Sequence, residues 1–237
     1  MEVFMSIQLD IYTKEDISSH EYAKFFFEAI EKMGLKFTKM AQYEPINKVF
    51  TIEQALKMWM HEEPGCYDFE LDEMMGTAGG MLGRGNGFWF NVAWWKDSRG
   101  KSINYLTISF TKKIFTKYQK EILSFFEGAL VEFDAIYGYI SDEKMVDRQH
   151  ITGTIKNRIL GIFEYNYFGK SFVDFIGKDK LQSLPWSNSF PLNEGLLTVL
   201  NDKKEEEFLL LEQRTKELIG LNLFNGKSSD YPDVLKG

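Results

Sequence analysis

The chain has 237 residues, 44% of them apolar and 16% aromatic, a composition that excludes a disordered polymer. At that length roughly 70–75% of the unfolded surface can be buried in one large domain or two small ones, with no need of a disulfide or a structural metal. The net charge of −7 argues against a nucleic-acid binder, the lone Cys66 cannot close an internal disulfide, and no apolar run reaches the ~20 residues that span a bilayer.

The opening stretch, MEVFMSIQLDIYTKED, carries acids and no basic segment, unlike a secretory signal, so a cytoplasmic location is expected. Within it, MSIQLDIY reads as the first strand. Ser18 and Glu21 then form a capping-box pattern, and Gly34 ends the helix they open. Tyr22, Phe25, Phe26, Ala29, Ile30 and Met33 make its apolar face. A shorter helix fits 51–61, with Thr51 and Gln54 at its start. The glycines Gly76, Gly79, Gly80, Gly83, Gly85 and Gly87 read as a mobile connection into an aromatic strand.

That strand, GFWFNVAWW, and the following NYLTISF form a hairpin across KDSRGKSI. A long helix at about 116–133 starts from Thr116 and Gln119. Its stripe is Tyr118, Ile122, Phe125, Phe126, Ala129, Leu130 and Phe133, and AIYGYIS follows as a strand. The order to residue 141 is therefore β-α-(insert 35–85)-β-β-α-β. It predicts an α+β fold, a ferredoxin-like split βαβ sandwich with an antiparallel or mixed sheet and its helices on one face. From 159 the order restarts: ILGIFEYNYF strand, helix 171–177, WSNSF strand, GLLTVL strand, helix 203–219, and LNLFN as a final strand. The expected organisation is a first unit at 1–141, a polar connection at 142–158 and a second β-α-β-β-α unit at 159–237, as a separate domain or as an extension of the first sheet.

No residue set specifies a reaction. The glycine stretch has no following lysine and leads into a strand, so it is not a phosphate-binding loop. Gly100-Lys101-Ser102, Gly169-Lys170-Ser171 and Gly226-Lys227-Ser228 lack the glycine five residues earlier. His20, His61, His150 and Cys66 show no metal-ligand spacing. Neither a cofactor nor a metal is expected, and the chain reads as no enzyme.

Two features point to binding instead. The segment HEEPGCYDFELDEMM places Glu62, Glu63, Asp68, Glu70, Asp72 and Glu73 together without a lysine or arginine, interleaved with Tyr67, Phe69, Met74 and Met75. This reads either as a solvated loop or as an acidic docking surface that steers a cationic partner. In FWFNVAWW both alternating faces are largely apolar; Trp94 and Trp95, at the end of the strand, are expected to be partly exposed and to contribute to the same surface.

Around residues 160–200, a strand ending in NYFG, a short helix stopped by IG, an LP step and a glycine turn before an apolar strand recur in one order. With GRGNGFWFNVAWW and NYLTISF near 85–110, this resembles the bacterial immunity proteins encoded beside polymorphic or contact-delivered toxins. The resemblance implies tight binding to one cognate protein toxin and occlusion of its active site without catalysis; the acidic charge of the chain makes a nuclease the expected toxin activity. Net charge and the lack of a long apolar run argue against direct contact with nucleic acid or membrane. The alternative is a small-molecule-binding domain or enzyme, with the 76–87 glycine stretch as a lid over a pocket lined by Trp89 or Trp94.

Overall fold

The structure is a computed structural model describing residues 6–68, 73–97, 102–149, 154–200, 205–226 and 231–232. The fold is α+β, and the chain divides into two compact units, Met1–Ala135 and Ile136–Gly237.

The first unit contains β1 (Ser6–Thr13), α1 (His20–Lys32), β2 (Phe37–Ala41), β3 (Lys48–Val49), α2 (Ile52–Trp59), β4 (Glu63–Asp68), β5 (Glu73–Gly85), β6 (Phe88–Lys96), β7 (Asn104–Thr111), α3 (Lys112–Lys117) and α4 (Gln119–Glu132). Its strands are ordered β1-β7-β6-β5-β2-β3, with β4 also on β5, and every described pairing is antiparallel. β7 lies between β1 and β6, the strand placement of a split βαβ arrangement. The stretch 35–85 is no detached insert: its strands continue the sheet beyond β6.

One face of this sheet is dry. Leu9, Ile11, Phe88, Phe90, Val92, Trp94, Leu106, Ile108 and Phe110 lie on it, and the register brings Leu9 opposite Ile108 and Phe90 opposite Ile108 from the other side. The buried stripes of α1 (Ala23, Phe26, Phe27, Ile30) and α4 (Ile122, Phe125, Phe126, Ala129, Leu130) complete this core. Phe26 lies 4.7 Å, centroid to centroid, from Phe90 and 5.5 Å from Trp59. The α1 stripe is turned one position from the expected one, so that Tyr22 and Phe25 are not on its buried line; they pack on Phe133 instead, at 5.4 and 5.8 Å. The expected long helix at 116–133 is two. Thr111 caps α3, its hydroxyl accepting from the Ile114 N–H, and Tyr118 at φ −117° breaks the path before α4. The cap expected at Thr51 is present: its hydroxyl accepts from the Gln54 N–H at 3.4 Å.

The glycine stretch departs most from expectation. Residues 76–85 are neither a mobile connection nor a lid; they lie within β5, paired to β6 on one side and to β4 and β2 on the other. The tight turn is Asn86-Gly87, where Gly87 takes φ +83°. The glycines make room for rings. In the β5–β6 register Gly79 faces Trp94, Gly83 faces Phe90 and Gly85 faces Phe88. A Cβ on any of the three would come within 2.2 Å of the ring opposite. The aromatic rings of β6 therefore lie flat over bare β5 backbone, a cross-strand pairing in which the ring supplies the burial the glycine lacks.

The second unit contains β8 (Ala135–Asp142), α5 (Glu143–Gln149), β9 (Tyr165–Phe168), α6 (Lys170–Ile176), α7 (Lys178–Gln182), β10 (Asn188–Leu192), β11 (Gly195–Val199), α8 (Glu205–Ile219) and a 3-10 turn at Leu221–Leu223. Its strand order is β8-β9-β11-β10, again antiparallel. Helix α5 occupies ground read from sequence as connection, and LNLFN is the 3-10 turn rather than a strand. Asn166 is fully buried at the start of β9; its side chain accepts from the Phe163 N–H at 2.7 Å and donates to the Phe163 carbonyl at 2.8 Å. Glu212 on α8 is buried between Arg148 and Lys216, bonded to both.

Candidate interaction surface

Side chains alternate across a strand, so every residue between those of the dry face points the other way. On the first unit's sheet this second face is built from Gln8, Asp10 and Tyr12 of β1, Tyr105, Thr107 and Ser109 of β7, Trp89, Asn91, Ala93 and Trp95 of β6, and Leu82 and Arg84 of β5. Its character is aromatic and polar. Tyr105 lies 6.0 Å from Trp95 and 6.3 Å from Tyr12, ring to ring, and accepts a hydrogen bond from the Asn91 amide at 3.3 Å. Asp10 is buried among these groups, accepting from Gln8 at 2.6 Å and from the Thr107 hydroxyl. Trp89 is 42% exposed, and Trp95 and Tyr105 are half-buried.

The structure divides the two tryptophans expected at the surface. Trp94 shares the parity of Phe88, Phe90 and Val92 and is fully buried, its indole N–H donating to the Trp59 carbonyl at 2.8 Å, so it cannot contact a partner. Trp95 is on the open face as expected. Trp89 was missed as a surface residue, and the signal for it was Asn91: a polar residue of the same parity marks the wet side of β6.

The acidic segment is equally divided. Glu70 and Asp72 lie outside the described residues. Tyr67 and Asp68 are in β4 and Glu73 opens β5, with Asp68 opposite Glu73 in the register. Glu62 and Glu63 are already engaged within the molecule. Glu62 pairs with Lys96, which also lies 3.5 Å from Asp16 and stands over the Trp94 ring; the contact with Glu62 holds the Lys96 ammonium above its usual range. Glu63 accepts from the Tyr43 hydroxyl and lies 3.4 Å from His61 Nε2; that carboxylate pushes the Tyr43 phenol up. Two of the acids expected to meet a partner thus have partners at home.

An open cleft of about 390 Å³ lies beside them, walled by Gln42, Tyr43, Lys48, Met58, His61 and Glu63. Neither Trp89, Trp94 nor any glycine of 76–87 lines it, so it is not the pocket of the lidded-enzyme alternative.

Taken together, these units define an α+β protein with an open aromatic sheet face. Among the described residues no helix is long and apolar enough to cross a membrane. No family model and no curated protein matches the chain. Among solved structures it is similar to the Pseudomonas aeruginosa T6SS protein PA0821, with 12% sequence identity and a TM-score of 0.62, over 98% of this chain and 82% of that one. At that identity the likeness is one of fold.

Proposed function

We propose that this chain is an immunity protein of a bacterial secretion-delivered toxin system, which binds one cognate protein toxin and blocks its active site, acting by contact and not by catalysis. The observation that carries the reading is the open face of the first unit's sheet, where an exposed Trp89 shares one face of β6 with Asn91 and Trp95, and Tyr105 of β7 packs between the latter two. Large rigid aromatics flanked by polar groups are the anchors of protein interfaces, because they supply contact area at small conformational cost. A fold shared with a T6SS protein, and the immunity-like order of motifs in the second unit, support the same class.

The test is rescue. A toxin encoded beside this gene should arrest growth when expressed alone and be silenced by co-expression of this chain. Trp89→Glu should leave the fold intact, because the position is exposed, and weaken toxin binding at least about 10-fold, as loss of a central aromatic does. Growth arrest unchanged by co-expression with each neighbouring toxin would overturn the reading.

A further inference from the structure

The charge of this molecule is sorted by strand. No Asp or Glu occurs in residues 32–43, 74–96 or 98–120, although the whole chain carries −7. These segments supply β2, nearly all of β5, all of β6 and β7, and α3. The fold gathers their cations at one end of the sheet. Lys39 and Arg84 are register partners on the open face, and Arg84 is in turn opposite Trp89. Lys36 directly precedes Phe37, which pairs with Gly85, so it borders the same end. α3 is tied to that end too: the Thr111 N–H donates to the Gly87 carbonyl at 2.8 Å, at the β5–β6 turn, and this places Lys113 beside it.

Lys36, Arg84 and Lys113 are exposed and Lys39 is half-buried. None of the four enters an ion pair among the described residues. By contrast, Lys24, Lys57, Lys96, Lys170 and Lys216 each face a carboxylate. Val49, 74% exposed, lies opposite Lys39, so the row Val49–Lys39–Arg84–Trp89 crosses four strands with cations at its centre and apolar contacts at both ends.

We infer that this cationic end of the open face, formed by Lys36, Lys39, Arg84 and Lys113 with Trp89 and Val49, docks an acidic surface of a partner protein. The inference rests on the proposed function for the partner's identity but not for its charge. It also reverses the polarity expected from the acidic segment: Glu62 and Glu63 are paired internally, whereas these cations are not. An acidic protein surface fits better than a nucleic acid. A polyanion runs on past a compact patch and would meet the rest of a chain bearing −7, whereas a folded partner ends where the patch ends.

The test uses the full chain, a 20-residue glutamate-rich peptide and a 20-base-pair DNA duplex, titrated at about 0.1 M salt and followed by tryptophan fluorescence. The peptide should bind, more tightly than the duplex, and the signal should vanish in Trp89→Phe. The double variant Lys39→Glu/Arg84→Glu should weaken binding at least about 10-fold, Lys36→Glu/Lys113→Glu should weaken it less, and Lys178→Glu, on α7, should leave it unchanged. Thermal unfolding of each variant confirms that the fold is kept. Absence of peptide binding, tighter binding of the duplex, or equal affinity in the Lys39/Arg84 variant would each overturn the inference. With a rescued toxin in hand, the same double variant should lose rescue. If it does not, the patch is refuted while the immunity role stands; if no toxin is rescued by the unaltered chain, the role falls and the peptide titration still decides the patch.

Discussion

At the scale of the residue, the second unit depends on polar side chains that do the work of backbone. Asn166 pairs with the main chain of Phe163 as a neighbouring strand would, satisfying one N–H and one carbonyl that have no access to water. Asn166→Leu keeps the branching and heavy-atom count of the side chain and deletes both bonds. It should cost about 2–4 kcal/mol in denaturant unfolding, the sum of lost bonds and two stranded backbone groups. A loss under about 0.5 kcal/mol would show that water can replace the amide. Glu164 gives a pH-dependent counterpart. Burial raises its carboxyl above the usual range, against the pull of the Ser141 hydroxyl that donates to it. A folded value above the unfolded one means that the folded state holds the proton more tightly. The resulting stability is present below the unfolded value and is lost as pH rises through the folded one. Glu164→Gln mimics the protonated form, so it should raise the melting temperature near pH 7 and leave it unchanged below about pH 4. A variant less stable at neutral pH would show that the charged carboxylate is the favoured form.

At the scale of the element, β5 and β6 are one unit that neither strand could form with an ordinary partner. Each ring of Phe88, Phe90 and Trp94 occupies the space of a missing Cβ opposite. Gly83→Ala should therefore be destabilising by about 1–3 kcal/mol, the usual cost of overpacking a filled site. In a Phe90→Ala background the same change should cost close to nothing, because the ring it strikes is gone. Additive losses in that double-mutant cycle, measured by chemical unfolding, would disprove the pairing. This element also marks where local reading fails. α2 with its Thr51 cap, the α4 stripe, β6 and β7 were legible because periodicity and caps are properties of a single segment. β5 was not, because glycine breaks a strand by default and is restored only by the ring opposite it on β6, which the register, not the segment itself, supplies. Asn86-Gly87, a standard hairpin signal, stood inside the stretch unread, and the structure places the turn there. The same limit applied to Trp94 and Trp89: both are apolar, and only the parity shared with Asn91 tells the wet face from the dry one.

At the scale of the whole molecule, net charge and local charge oppose each other, and ionic strength decides which a partner senses. The chain carries −7, yet the proposed docking end is cationic, and apart from Glu73 at the far start of β5 no acid lies in the strands that form it. An acidic partner is repelled by the total and attracted by the patch. At about 0.01 M salt the screening length is roughly 30 Å, comparable to the molecule, so the total acts; near 0.15 M it is roughly 8 Å and only the nearest charges act. Association of the unaltered chain with its toxin should therefore quicken as salt is raised from about 0.01 M to about 0.1 M, and slow above that as the patch itself is screened. In Lys39→Glu/Arg84→Glu the attractive part is removed, and the rate should rise throughout the range without a maximum. Stopped-flow measurement of both association curves separates the cases. A partner steered by the acidic segment would instead be cationic, and its rate would fall from the lowest salt onward in both proteins, because the net charge and the docking charge would then pull in the same direction.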